Sequence, residues 1–167
     1  MIEVVVDDLA FLAVDAVIRP SNEHLDPVTP AMTRLDAQAG AGFATQRRVQ
    51  MPLDIGAAVV TGAGDLSAKF VVHTVIQSEA IGSSRDSVRR ALLSAWQRAS
   101  DWELGTIATP LVGTGAGQLS LEEAATILTD TLHEHRIHAQ FPSQVRIVLE
   151  HETERGVVEA VVARRPL

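Results

Sequence analysis

The sequence predicts an α/β protein with a largely parallel β-sheet covered on both faces by helices. Short runs rich in Val, Ile and Ala alternate along the chain with segments whose apolar residues recur at helical spacing. The short runs show no clean apolar–polar alternation, which is the pattern of strands buried on both faces. One of them leads through a glycine loop into a capped helix, a strand–turn–helix junction.

Taken in order, Ile2 to Val6 is a β-branched run ending at Asp7-Asp8, and Ala13 to Ile18 is a second strand, expected to stop before Pro20. Pro30 to Ala39 places Ala31, Leu35 and Ala39 at helical spacing and closes on Gly40, a C-cap. Ala57 to Thr61 and Phe70 to Ile76 are short strands joined by a turn containing Gly62 and Gly64. Ser84 to Ser100 sets Val88, Ala91, Leu92, Ala95, Trp96 and Ala99 on one helical face, which makes Trp96 a core residue. Thr106 to Val112 reads as a buried strand, Leu121 to His135 as an amphipathic helix, and Val145 to Leu149 as a last strand. In the tail, Val157, Val158, Val161 and Val162 fit one helical stripe, although their branching also suits a strand; helix is the reading adopted. The 167 residues are read as one domain with no internal repeat or linker.

The segment Thr109-Pro-Leu-Val-Gly-Thr-Gly-Ala-Gly-Gln-Leu-Ser120 has the clearest chemistry. Glycine permits positive φ and close backbone approach, and Ser120 with Glu123 spells a capping box at the following helix. Backbone amides at such a junction suit a phosphate or diphosphate. The segment is neither a dinucleotide fingerprint nor a P-loop, because no Lys-Ser/Thr follows the glycines.

Composition narrows the rest. A net charge of -7, from 21 acidic and 14 basic residues with the basic ones scattered, argues against nucleic acid as ligand. Cysteine is absent, which removes disulfides and thiolate chemistry and fits a reducing cytoplasm. Neither a secretory leader nor a membrane span is expected. His133, His135 and His138 lie close together, but a spacing of two puts the first pair on different helical faces, so no metal site is assigned. No cofactor is expected. His73, on an apolar strand, is read as a hydrogen-bonded core residue, and His24 is kept as a candidate acid or base. No nucleophile elbow of the Gly-x-Ser-x-Gly type occurs.

Val14-Asp-Ala-Val-Ile-Arg-Pro-Ser-Asn22, then Gly56-Ala-Ala-Val-Val-Thr-Gly-Ala-Gly-Asp-Leu-Ser-Ala-Lys-Phe-Val-Val-His-Thr-Val75, then the glycine loop at 113–117, occur in the order seen in macro domains. From Asp8 to about Glu150 the chain resembles that family. The resemblance implies a three-layer α/β/α sandwich on a mixed, mainly parallel sheet, with ADP-ribose, free or attached to protein, as the ligand. It implies that Asp8 accepts a hydrogen bond from the adenine amine and that Leu9 adds a backbone N–H. Read from the residues alone, Asp8 is equally a turn or helix cap. Asn22 matches the family asparagine beside the distal ribose, where an amide can donate and accept at once. Gly113, Thr114, Gly115, Ala116 and Gly117 match the loop that wraps the diphosphate.

The departures concern catalysis. Where hydrolytic relatives carry a glycine run and then an acidic residue, an ungapped count places Pro27-Val-Thr-Pro30 and Met32. A thioether can neither take a proton nor orient water strongly, and proline offers no N–H. Arg19 replaces the first asparagine of the family pair and is read as a surface ion pair, with a phosphate partner as the alternative. The adenine-stacking aromatic falls on or near Glu150, no Tyr exists, and the aromatic usual inside the loop is Gly117. Binding of ADP-ribose or a related adenine nucleotide is therefore expected, with catalytic residues unassigned. The alternatives are an ADP-ribosyl hydrolase using His24 or Asp26, and a degenerate domain whose role lies in its surface.

Overall fold

The structure is a computed structural model, and it describes residues 1–115 and 119–164. Six strands form one sheet: β1 (Ile2–Val6), β2 (Ala16–Asn22), β3 (Ala58–Gly62), β4 (Phe70–Gln77), β5 (Thr106–Thr109) and β6 (Gln144–Leu149). Their order is β1-β6-β5-β2-β4-β3, with every neighbouring pair parallel except β3 and β4. The helices are α1 (Pro30–Ala39), α2 (Phe43–Gln46), α3 (Arg85–Asp101), α4 (Leu121–Arg136) and α5 (Arg155–Arg164), with 3-10 turns at Leu9–Phe11 and Glu152–Glu154.

Alternate residues of each strand feed two separate cores. Ala16, Ile18, Val72, Ile76, Ile107, Val145 and Ile147 pack against α3, α4 and α5 through Leu92, Trp96, Leu128 and Val158. Val17, Val71, Ala108 and Val148 pack against α1, α2 and the first 3-10 turn through Leu9, Met32, Leu35 and Phe43. The result is the three-layer sandwich with a mixed, mainly parallel sheet. Trp96 is fully buried and its indole N–H donates to Thr131 Oγ1 at 3.0 Å, which satisfies the one polar atom it carries inward. Three of the helices start at a side-chain cap: Thr29 caps α1, Ser84 with Ser87 caps α3, and Ser120 with Glu123 caps α4.

Two strands end differently from the sequence expectation, both at proline. β2 starts later, at Ala16, and runs through Pro20 to Asn22. The ladder with β5 involves only Ala16 and Val17, so beyond Val17 that side of β2 has no neighbouring strand to receive an N–H. β5 stops at Thr109, before Pro110, although Leu111 and Val112 remain buried. The tail is helical, with Val158 and Val161 buried. At the opposite end of the sheet Asp15 ties β2 to β5 by accepting from the amides of Gly105 and Thr106 at 2.9 and 3.1 Å. Burial acts to raise its pKa, but those amides, Lys69 and the Thr106 hydroxyl together hold it below the usual carboxylate value.

Candidate functional site

The strands β2 and β5 are parallel neighbours, yet the helices that follow them cross to opposite faces: α1 joins one core and α4 the other. Chain segments therefore diverge above the carboxyl ends of these strands and leave a crevice there, the usual ligand position in open α/β sheets. The crevice has two chambers. The larger, about 470 Å³, is lined by residues that include Asp7, Asp8, Leu9, Leu35, Gln38 and Val148. The smaller, about 250 Å³, lies against Thr29, Pro30, Leu111, Gly113, Thr114 and Gly115. Ala31, Met32, Arg34, Pro110, Val148 and Glu150 border both, so the chambers adjoin along these residues as two parts of one groove.

Local sequence explains each wall. Asp8 caps the first 3-10 turn, its Oδ1 accepting from the Ala10 amide at 3.0 Å, so the cap and a place on the groove wall coexist in one residue. Gly113 has φ of 100°, which strongly favours glycine, and its carbonyl accepts from Leu119 N at 3.1 Å. The Thr114 hydroxyl donates to Leu111 O at 3.1 Å, tightening the same loop. Gly115 faces Thr29: a Cβ built there would lie 2.5 Å from Thr29 Cγ2. The glycine loop is thus seated directly on the N-cap of α1.

The sequence-derived residues divide accordingly. Asp8 and Leu9 line the larger chamber, and Gly113, Thr114 and Gly115 line the smaller. Ala116 and Gly117 lie outside the described residues. Asn22 ends β2, and its Oδ1 accepts from the amides of His24 and Asp26 at 2.9 and 3.0 Å, closing the turn that follows. Asn22, His24 and Asp26 are absent from the described lining of either chamber, and Asp26 instead pairs with Arg47 at 3.0 Å. Met32 is buried and borders both chambers. No aromatic side chain is among the described lining residues. Of the terminal histidines of α4, His135 lies with Nε2 2.7 Å from Phe141 O.

Arg19 departs from expectation: it is no surface residue but wholly buried. Its guanidinium forms a two-pronged pair with Asp36 of α1 at 2.7 and 2.6 Å, donates to Leu25 O at 2.7 Å, and lies 3.2 Å from His73 Nδ1. Arginine has no acceptor, so Nδ1 accepts and the His73 proton sits on Nε2, which donates to Thr61 Oγ1 at 2.7 Å. Burial, with Arg19 and Arg47 nearby, pushes the His73 pKa well below 6.5, keeping the ring neutral. Phe43 stacks on His73 and lies under the Arg19 guanidinium, with centroid distances of 5.8 and 5.7 Å. This network bolts α1 to the sheet and so fixes one wall of the groove. Sequence reasoning missed it because Arg19 and Asp36 are far apart in the chain and only the fold joins them.

A family model for the Macro domain matches residues 20–128. The chain belongs to the macro domain family. One curated relative is an O-acetyl-ADP-ribose deacetylase of Enterobacter sp., 30% identical over 172 residues, covering 99% of this chain and 96% of the relative. An uncharacterized protein of Mycobacterium tuberculosis is 24% identical over 129 residues, and this macro domain spans 36% of its length. Among solved structures, the Oceanobacillus iheyensis macrodomain with ADP superposes with a TM-score of 0.84 at 18% identity, covering 98% of this chain and 90% of that one. The Trypanosoma brucei macrodomain in complex with ADP-ribose gives 0.85 at 20% identity, covering 96% and 68%.

Proposed function

We propose that this macro domain binds ADP-ribose, free or attached to protein, in the two-chambered groove. The observation that carries the reading is that the two chambers adjoin, with Asp8 and Leu9 in one and Gly113, Thr114 and Gly115 in the other. In this reading adenine occupies the larger chamber, its amine donating to Asp8 and its ring accepting from the Leu9 amide. The diphosphate lies on the backbone of Gly113, Thr114, Gly115, Ala116 and Gly117. Asn22 stands outside the described lining; in this reading its Nδ2 donors reach the distal ribose from the turn after β2, since Oδ1 is engaged by turn amides. The neighbours solved with ADP and ADP-ribose support this choice of ligand. In the same reading residues 1–167 act as one macro-like domain, and a chain without cysteine fits a reducing cytoplasm. No described helix is long and apolar enough to cross a membrane.

Calorimetric titration with ADP-ribose, ADP and AMP tests the reading. Micromolar or tighter ADP-ribose binding, about -8 kcal/mol, exceeding that of ADP and lost in Asp8→Ala, is the expected result. No heat for any of the three would contradict it. The name of the Enterobacter relative favours a second reading, hydrolysis of an ADP-ribosyl ester or adduct. Met32 on the groove wall and the absence of His24 and Asp26 from the described lining weigh against it. Release of ADP-ribose from mono-ADP-ribosylated protein above a buffer control would establish that activity.

A further inference from the structure

The groove holds a charge imbalance that the proposed ligand makes worse. Its described lining carries four carboxylates, Asp7, Asp8, Glu150 and Glu154, and a single cation, Arg34. Loop amides offer a diphosphate hydrogen bonds, but they bring no full positive charge to offset these carboxylates. Arg34 projects from α1 one turn after Ala31, on the same helical face, and both residues border the two chambers. Glu150 follows the end of β6, across the groove, and Arg34 Nη2 lies 2.6 Å from its Oε1. The ion pair therefore stands on the boundary that the two chambers share. A ligand that fills both must pass it.

We propose that Arg34 binds the diphosphate of the groove's ligand and that Glu150 is the internal anion from which it is exchanged. The side chains of the pair are 65% and 54% exposed, so solvent already weakens their attraction and breaking it costs little. A phosphate offers the guanidinium oxygens in the planar, two-pronged geometry it favours. Glu150 then sets selectivity: it repels any anion that does not itself capture Arg34. This inference rests on the ADP-ribose reading and names the side chain that supplies its charge recognition.

The test is calorimetry of ADP-ribose with the wild type, Arg34→Gln, Arg34→Lys, Glu150→Gln and the Arg34→Gln/Glu150→Gln double variant, each at low and high salt, after thermal melts confirm folding. Arg34→Gln is expected to lose about tenfold or more in affinity at low salt and most of the salt dependence of binding. Arg34→Lys keeps a large part of both. Glu150→Gln binds more tightly than wild type, and that gain shrinks in the Arg34→Gln background, because it comes from freeing Arg34. Wild-type binding with Arg34→Gln unchanged in affinity and salt dependence would overturn the inference alone. Equal gains from Glu150→Gln with and without Arg34 would overturn the exchange. Failure of the wild type to bind ADP-ribose would overturn the underlying reading and this inference with it.

Discussion

Arg19 reaches from the middle of the sheet to Asp36, and the pair is nearly closed to water, with side-chain exposures of 0% and 15%. Removing one partner of a buried pair strands the other charge, which costs more than the pair itself contributes. Arg19→Ala is expected to destabilise the protein by about 3–5 kcal/mol in denaturant unfolding, and a loss below about 1 kcal/mol would show that Asp36 finds water instead. His73 beside it gives a pH signature. Its pKa is lowered in the folded state, so above about pH 6.5 the ring is neutral both folded and unfolded and contributes no slope. Below that value the unfolded chain takes up a proton that the folded chain refuses. Stability therefore falls as the pH falls, by up to about 1.4 kcal/mol per pH unit from this residue, until the folded pKa is reached. The unfolding free energy of His73→Gln, measured from pH 7.5 to 5, is expected to fall less steeply than that of the wild type. Parallel curves would remove His73 as the source.

At the scale of elements, the glycine loop and the start of α1 behave as one unit. A Cβ at Gly113 would lie 2.8 Å from Leu119 Cδ1 and 3.0 Å from Val88 Cγ2, on a backbone of positive φ. Gly113→Ala should cost about 1–3 kcal/mol and weaken ADP-ribose binding with it. Among the described residues Gly115→Ala collides with Thr29 Cγ2, and Thr29 must keep its hydroxyl to accept from the Met32 amide at 3.2 Å. Adding Thr29→Ser removes the methyl and retains the cap. The double variant is expected to recover most of the stability lost in Gly115→Ala, and no recovery would disprove the contact. These elements also show how far the sequence could be read. The helices were legible from their periodicity and from caps such as Ser120 with Glu123, and β4 and β6 from their apolar runs. Prolines misled in both directions: Pro20 sits inside β2 where one flank has no partner strand, whereas Pro110 ends β5 before its apolar run is over. The short α2, whose Phe43 stacks on His73, gave no periodic signal in four residues. Asp8 and Leu9 were named through family motifs, and the glycines from their strand–loop–helix pattern as well. Arg34 was not, because its meaning depends on Glu150 standing opposite, 116 residues away.

The whole molecule places its function by topology. Parallel β2 and β5 send their helices to opposite faces, and the opening between them lies above the sheet's carboxyl edge. A buried polar bolt, Arg19 with Asp36, fixes α1 on one side of that opening, and the glycine loop rests on the N-cap of the same helix. The net charge of -7 gives the surface no general attraction for anions, and the proposal places diphosphate binding in the groove itself. Amide chemical shifts of isotope-labelled protein titrated with ADP-ribose test that claim directly. The account predicts saturable shifts concentrated at Leu9, Ala10, Arg34, Gly113, Thr114 and Gly115, with α3 and α5 unmoved. Saturable shifts that cluster elsewhere and spare these residues would contradict it.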